Sequence, residues 1–407
     1  MPGLRTAKTS ISDLAIFGGR PAFAEPLHVG RPNIGNRERL LARFNDLLDR
    51  RWLTNGGPFL QEFEERLADY LGVPECIAIC NGTIALEIAI RALGLAGEVL
   101  VPSFTFIATA HALQWQHITP VFCDIDRRTH HLNPELVESR ITPQTTGILG
   151  VHLWGEPCAI EALTEIANRR RLALLFDASH AFGCSHRGRM IGNFGRAEVF
   201  SFHATKCFNT FEGGAVATGD RELAARIRLM RSFGFADYDE VVHLGTNGKM
   251  SEVAAAMGLT GLESLDEFID CNRANYRRYQ SLLAGIPGLC LHPVDASERR
   301  NYQYVVIEVD EEAAGISRDL LQAVLAAENV LARRYFYPGC HRMEPYRSNP
   351  RHATELPETE RLSRRVLTLP TGTAVDAEAV ETISHLLRLS VENAAEMSSA
   401  ARRAAVR

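Results

Sequence analysis

The stretch LLFDASHAFGCSHRGRMIGNFGRAEVFSFHATKCFNTFEGGAVATG, residues 174–219, decides the fold of this chain. Three short apolar runs in and just before it predict strands, at Leu172–Phe176, Glu198–Phe202 and Ala215–Thr218. Asp177 follows the first run, and Ser201, His203 and Lys206 lie at or just after the end of the second. The stretch therefore predicts one carboxylate, one hydroxyl, one imidazole and one lysine amine at the same edge of a sheet.

Strand-like and helical runs also alternate on the N-terminal side of this stretch. Apolar runs predict strands at Cys76–Cys80, Val99–Pro102, Thr119–Cys123 and Gly147–His152. Helical patterns lie between the strands, at Thr83–Leu93, Thr105–Gln114, Pro134–Arg140 and Ala159–Arg170. This alternation is typical of a largely parallel sheet with helices on both faces, in which ligands bind beyond the carboxyl ends of the strands. The segments NGT, PSFTF and HLWG lie at such ends, as Asp177 does.

The groups that meet at this edge are those needed to hold pyridoxal phosphate. The amine of Lys206 is the nucleophile that can form an imine with the cofactor's aldehyde. Asp177, at the end of an apolar strand, supplies the carboxylate that keeps a pyridine nitrogen protonated. His180 is a candidate for the ring edge and Phe106 for the ring face.

The phosphate of that cofactor needs hydroxyls, small residues and free backbone N–H groups, which a helix N-terminus supplies best. Asn81-Gly82-Thr83 opens the apolar helix IALEIAIRAL, and Ser201 adds a hydroxyl five residues before Lys206. These segments are therefore predicted to form the phosphate site.

The segments FDASHAFG and FSFHATK-x-FNTFEGG resemble the DegT/DnrJ/EryC1/StrS family of nucleotide-sugar aminotransferases. So do NGTIALEIAIRALGL, VPSFTFIATAHAL, PVFCDID, GVHLWGEP and LGTNGKMSEVAAAMGL, which occur in the family's order over residues 30 to 395. The resemblance implies the α/β fold of aspartate aminotransferase, fold type I of the pyridoxal phosphate-dependent transferases. A large domain with a mixed, mostly parallel sheet is then followed by a small C-terminal α/β domain.

The resemblance also implies a role for individual residues. The cofactor site it predicts consists of Gly82, Thr83, Phe106, Asp177, His180, Ser201, Lys206 and, from the neighbouring subunit of a homodimer, Asn247. Lys206 and Asp177 are the catalytic pair: the lysine holds the cofactor and moves a proton between cofactor and sugar, and the aspartate faces the ring nitrogen. Tyr337 and His341 are predicted to contact the sugar nucleotide, and either Arg333 or Arg334 its pyrophosphate.

The resemblance implies transfer of an amino group from glutamate to a keto sugar nucleotide, with the cofactor passing through pyridoxamine phosphate. The FHATK and NTFEGG forms favour the branch that aminates C-4 of dTDP-4-dehydro-6-deoxy-D-glucose. Amination at C-3 of a 3-keto isomer is the close alternative. Family members that act as dehydratases replace the lysine by histidine, so Lys206 favours transamination. A non-catalytic regulatory relative is the remaining alternative.

Length and composition frame these predictions. The 407 residues suit an N-terminal arm at 1–30, a large domain at 31–268, a small domain at 269–395 and a frayed tail at 396–407. The arm is expected either to lie over a partner surface or to be partly disordered. The net charge of −5 argues against a general nucleic-acid or membrane-surface binder.

The cysteines and histidines bear on disulfides, on the cellular compartment and on metal binding. Nine scattered cysteines argue against a disulfide framework and favour the cytoplasm, and no long apolar run predicts a membrane span. His130-His131 lacks the spacing of a metal-binding pair, so we expect a solvated turn there and no metal site.

Overall fold

The computed structural model describes residues 6–352 and 354–405. The α-helices, in chain order, are α1 Arg37–Arg50, α2 Pro58–Leu71, α3 Gly82–Ala92, α4 Ile107–Gln114, α5 Pro134–Val137, α6 Ile160–Arg170, α7 Arg221–Arg231, α8 Glu252–Glu263, α9 Leu265–Leu283, α10 Glu311–Ala314, α11 Arg318–Ala327, α12 Pro357–Arg365, α13 Ala377–Glu392 and α14 Ala394–Ala405. Residues 1–5 of the predicted arm and residues 406–407 of the predicted tail lie outside the described residues.

The strands are β1 Leu27–His28, β2 Glu75–Ile79, β3 Glu98–Pro102, β4 Thr119–Cys123, β5 Thr145–Val151, β6 Ala173–Asp177, β7 Ser185–His186, β8 Arg189–Met190, β9 Ala197–Ser201, β10 Gly214–Thr218, β11 Phe235–Asp237, β12 Glu240–Val241, β13 Leu289–Leu291, β14 Val305–Val309, β15 Val330–Leu331 and β16 Val366–Leu369. All seven strands predicted between residues 76 and 218 are present, with ends that shift by one or two residues. The segment that follows α7 contains the short hairpin β11–β12.

The central sheet has seven strands in the order β2-β10-β9-β6-β5-β3-β4. Strand β10 is antiparallel to both of its neighbours, and the other six strands run in one direction. This confirms the predicted mixed, mostly parallel sheet. The register sets Asp177 beside Val151 of β5 and Val199 of β9, so the strand that bears this carboxylate lies inside the sheet.

Helices cover both faces of this sheet because its strands are apolar on both sides. In β2, Cys76 and Ala78 belong to a core with α2, α6 and α8, whereas Ile77 and Ile79 belong to a core with α3, α4 and α7. Successive side chains of a strand point to opposite faces, which is why one apolar run contributes to two cores. The carboxyl ends of the strands are not covered by these helices, and the loops that carry the polar residues lie there.

A second unit is built on the antiparallel strands β13, β14 and β16, packed against α9, α11 and α13. Helix α9 joins the two units: Phe268 belongs to the core of the large unit and Tyr279 to that of the second. The predicted boundary at 268/269 falls within this helix.

The segment before residue 30 packs on the second unit of the same chain. Leu14 and Phe23 are buried in its core, and β1 pairs with β15. Lys8 and Glu328 form a fully buried salt bridge at 3.1 Å, and the backbone N–H groups of Ala15 and Ala22 donate to the Glu328 carboxylate. A buried charge is costly unless it is paired and hydrogen-bonded, and these contacts meet that need.

The C-terminal segment is helical where it is described, since α14 runs to Ala405. Across the described ranges, no helix combines the length and the apolar character that a membrane span requires.

Candidate active site

A cavity of about 490 Å³ opens where the carboxyl end of the central sheet meets the second unit. Seven of the predicted cofactor residues line it: Gly82, Thr83, Phe106, Asp177, His180, Ser201 and Lys206. They come from the ends of β2, β3, β6 and β9 or from the segments that directly follow. The fold thus gathers residues that are up to 124 positions apart, from Gly82 to Lys206, around one space.

The chain has three lysines, and all three lie in the part that the structure describes. Of these, Lys206 alone lines the cavity. Its Nζ donates to the hydroxyl of Tyr304 at 3.4 Å. Burial lowers the pKa of the Lys206 amine to about 8, against the opposing effect of Asp177. A substantial fraction of the amine is therefore neutral near pH 8, which is the form that acts as a nucleophile or a base.

Asp177 is 5% exposed and lies at the last position of β6. The hydroxyl of Thr109 donates to its Oδ2 at 2.8 Å, and the backbone N–H of Ser179 donates to its Oδ1 at 3.0 Å. Within residues 6–352 and 354–405, no cation forms a salt bridge with this carboxylate. A buried carboxylate without a cationic partner is costly, so its position fits a cation supplied by a ligand.

The N-terminus of α3 forms another part of the cavity wall. Asn81 caps the helix, since its side chain accepts from the backbone N–H of Ile84 at 2.9 Å. The first N–H groups of a helix have no acceptor within it, and Gly82 and Thr83 line the cavity at this point. A Cβ at Gly82 would lie 2.8 Å from Cβ of Ser201, so only glycine lets the helix start against that hydroxyl.

Both ring-contact candidates, His180 and Phe106, line this space. His180 is buried, and burial together with the nearby Lys206 holds its pKa well below the ordinary value, so the imidazole is neutral. Its ring centroid is 4.5 Å from that of Tyr304. Phe106 is 55% exposed on the cavity side, just before α4, with its ring 6.5 Å from Phe336.

Three predicted residues do not line the cavity in this chain. Asn247 is exposed beside the hairpin, where it pairs with Ser232 in an isolated bridge. Tyr337 is 42% exposed, and its ring lies under the guanidinium of Arg334. His341 is buried, with Nδ1 at 2.6 Å from Oγ of Ser103 and Nε2 at 3.3 Å from Glu360.

The cavity also contains residues that the sequence did not single out for the cofactor. They are Tyr304, Tyr335 and Phe336 of the second unit, with Thr109 behind Asp177. Thr109 lies in the predicted helix that begins within the PSFTF segment, so its position near this edge of the sheet follows from the sequence. Nothing local marks the others, since their approach depends on how the two units pack.

The expected solvated turn at His130-His131 is wrong. His130 is 1% exposed and His131 6% exposed. His130 stacks on His292 with 4.3 Å between ring centroids, and Trp154 donates its indole N–H to it. The sequence shows only the turn, and the second unit that covers it comes from more than 150 residues later in the chain.

These residues fit pyridoxal phosphate. The amine of Lys206 suits its aldehyde, the unpaired carboxylate of Asp177 suits a protonated ring nitrogen, and the start of α3 beside Ser201 suits its phosphate. Within the described ranges, no group of three or more His, Cys, Asp or Glu side chains is arranged to hold a metal ion.

The chain is similar to known proteins over most of its length. The chain is 35% identical to dTDP-4-amino-4,6-dideoxy-D-glucose transaminase of Shigella dysenteriae, over 89% of this chain and 99% of that protein. A structure of DesI in the presence of its TDP-sugar product is 51% identical, with a TM-score of 0.93, and covers 97% of this chain and 100% of that one. S. venezuelae DesV in complex with a ketimine intermediate is 32% identical, with a TM-score of 0.81 over 88% of this chain and 95% of that one.

These neighbours confirm the predicted class, the fold type I architecture of pyridoxal phosphate-dependent aminotransferases. The model of the DegT/DnrJ/EryC1/StrS aminotransferase family matches residues 35–388, which include all seven strands of the central sheet and most of the second unit. Since sequence and structure agree over nearly the full length, the chain belongs to the DegT/DnrJ/EryC1/StrS aminotransferase family.

Proposed function

We propose that the protein transfers an amino group from glutamate to C-4 of dTDP-4-dehydro-6-deoxy-D-glucose, using pyridoxal phosphate held at Lys206. The observation that carries the substrate assignment is the similarity, over almost its entire length, to a transaminase named for the C-4 amino sugar. The DesI structure, with its TDP-sugar product, supports the same substrate class.

When bound, pyridoxal phosphate would supply the aldehyde that carries the amino group and the ring that stabilises negative charge at the reacting carbon. Asp177 would stabilise the positive charge of the ring nitrogen, because its carboxylate is buried and oriented by Thr109. Lys206 would accept and return the proton at the reacting carbon through its Nζ, which is partly neutral near pH 8. The hydroxyl of Tyr304 orients that nitrogen.

Arg333 is our candidate for the pyrophosphate. It lines the cavity and is exposed, and in the described part of the chain no carboxylate forms a salt bridge with it. Arg334 is already engaged, because its Nη1 lies 3.1 Å from Asp319 and its guanidinium covers the ring of Tyr337. An unpaired guanidinium at the mouth of the site suits a diphosphate. The contacts proposed for Tyr337 and His341 with the sugar nucleotide stay predictions.

A homodimer with shared sites completes the proposal. Asn247 lies in an exposed segment that also presents Phe235, Tyr238 and Leu244 to the outside, with exposed fractions of 44%, 95% and 70%. Apolar side chains grouped in this way are typical of a protein interface. We propose that this segment docks on a second copy and that Asn247 reaches the phosphate in the partner's site.

The test is a set of purified reactions with pyridoxal phosphate, glutamate and a panel of dTDP- and UDP-keto sugars. A cofactor absorbance band that shifts with glutamate, and a product whose NMR spectrum has nitrogen at C-4, support the proposal. Nitrogen at C-3 would instead establish the alternative regiochemistry. A product mass that indicates loss of water would establish a dehydratase, and no spectral response to glutamate would point to a non-catalytic relative.

A further inference from the structure

A chain of three hydrogen bonds connects the second unit to the wall of the active-site cavity. Glu308 of β14 accepts at its Oε1 from Nε2 of His130, at 3.1 Å. The indole Nε1–H of Trp154 donates to Nδ1 of His130 at 3.2 Å. The backbone N–H of Trp154 donates to Nδ1 of His180 at 3.4 Å. His130 and Trp154 thus link a residue of one unit to a cavity residue of the other.

The direction of these bonds fixes the proton on both imidazoles. An indole nitrogen can only donate, so Nδ1 of His130 accepts and the proton of His130 is on Nε2, facing Glu308. A backbone N–H can only donate as well, so Nδ1 of His180 accepts and its Nε2 keeps the proton. His180 therefore has its N–H at the ring nitrogen that Trp154 does not use.

Backbone geometry shows that this arrangement is held under strain. Trp154 and His130 have φ angles of 62° and 65°, in the left-handed region that non-glycine residues seldom adopt. Such residues persist where their surroundings over-determine them, often at functional sites. The indole of Trp154 forms a cluster of three nearly parallel rings with His180, at 6.0 Å and 24°, and Phe336, at 5.6 Å and 10°, and these two rings are themselves 6.1 Å apart.

We propose that His130 is a positioning residue of the active site. Together with Glu308 it fixes the indole of Trp154, and through the indole it fixes the ring plane of His180 at the cavity wall. This inference rests on the proposed function only for its kinetic consequence, because the hydrogen bonds themselves belong to the protein without cofactor.

The test compares variants that remove one bond at a time. His130→Phe keeps an aromatic ring but loses both hydrogen bonds, and His130→Asn can still accept from the indole. Trp154→Phe removes the indole donor and keeps an aromatic ring, and it serves as a second variant if His130→Phe does not fold. The matched control is His292→Phe, because His292 is buried and stacked on His130 but, within the described ranges, makes no side-chain hydrogen bond to this chain of residues.

The first readout uses the apoenzyme labelled with ¹⁵N-tryptophan, in which the three tryptophans give three indole N–H signals. We expect His130→Phe to shift the Trp154 signal upfield and speed its exchange with solvent, His130→Asn to restore part of the shift, and His292→Phe to change neither. The second readout is the ¹⁵N spectrum of His180, which should show protonated Nε2 in the parent and shifted ring signals in His130→Phe and Trp154→Phe, because the ring loses its fixed neighbour while the backbone N–H of residue 154 remains.

The third readout is kinetic: kcat should fall on the order of 10-fold or more in His130→Phe, with little change in the KM for the sugar. Unchanged indole and His180 signals in His130→Phe, or equal changes in His292→Phe, would overturn the inference. If no keto sugar is aminated by the parent, the proposed function fails, whereas the two apoenzyme spectra still decide whether His130 positions Trp154 and His180.

Discussion

Lys206 differs from the other two lysines because its side chain lines the active-site cavity. Lys8 is buried in a salt bridge with Glu328, and the amine of Lys249 lies 4.6 Å from the ring of Phe233. A covalent bond to pyridoxal phosphate can thus be assigned by mass alone. We expect borohydride reduction of the cofactor-loaded protein to leave one adduct, on the peptide that contains Lys206.

Lys206→Ala should lose this adduct and reduce turnover by at least about 1,000-fold, because both the nucleophile and the proton carrier are gone. Lys249→Ala is the control and should keep the adduct. Normal turnover of Lys206→Ala would remove this lysine from the reaction.

Asp177→Asn should leave the fold intact, because the amide oxygen can still accept a hydrogen bond and the side-chain volume is unchanged. The rate should nevertheless fall on the order of 100-fold or more, since the buried negative charge that stabilises a protonated ring nitrogen is lost. Steady-state kinetics and the thermal midpoint are measured together. A variant as active as the parent would show that another group faces the ring nitrogen.

The depressed pKa of Lys206 predicts how the stability of the apoenzyme depends on pH. The amine has an ordinary pKa of 10.5 and a pKa of about 8 in the folded chain, so between these values the unfolded chain binds more protons. This group therefore destabilises the fold most below pH 8, and the cost decreases as the pH rises from 8 to 10.5. Lys206→Met should raise the thermal midpoint at pH 7 and raise it less at pH 9.5. An equal gain at both pH values would contradict the lowered pKa.

At the scale of the element, the start of α3 depends on a close approach to β9. A Cβ at Gly82 would meet Ser201 at 2.8 Å, so Gly82→Ala must push the helix from the strand or turn the hydroxyl away. We expect cofactor affinity to fall about 10-fold, which corresponds to about 1.4 kcal/mol.

The control for this change is Gly219→Ala, because a Cβ there meets nothing within 4 Å and the backbone is not in the left-handed region. Both variants are titrated with pyridoxal phosphate by absorbance. Equal affinities would mean that the phosphate is not held between α3 and Ser201.

At the scale of the whole molecule, shared sites can be tested by mixing inactive variants. Lys206→Ala and Asn247→Ala should each be impaired, but a heterodimer of the two has one site with both residues intact. With random exchange of subunits, half of the dimers are mixed, so about one quarter of the parent activity should return. Recovery that depends on refolding the variants together supports shared sites. No recovery in dimers shown to be mixed would place Asn247 outside the partner's site.

The central sheet, and the meeting of Lys206 and Asp177 at its edge, follow from the order of the amino acids alone. Apolar runs as short as Thr119–Cys123, set between helical patterns, favour strands, and parallel strands bring their carboxyl ends to one edge. That rule is sufficient to place Asp177, Ser201 and Lys206 together. The covering helices follow from local periodicity and caps, as at Asn81.

What the second unit brings to the site depends instead on tertiary packing. Glu308 lies 178 residues from His130, and no local pattern shows that the two meet. The same holds for Tyr304 beside Lys206, and for the pairing of Arg334 with Asp319 that leaves Arg333 free to face the cavity. The periodicity of side chains along the sequence specifies a helix or strand and its buried face. Contacts between distant segments depend instead on how the helices and strands pack together, and that packing is a property of the whole chain.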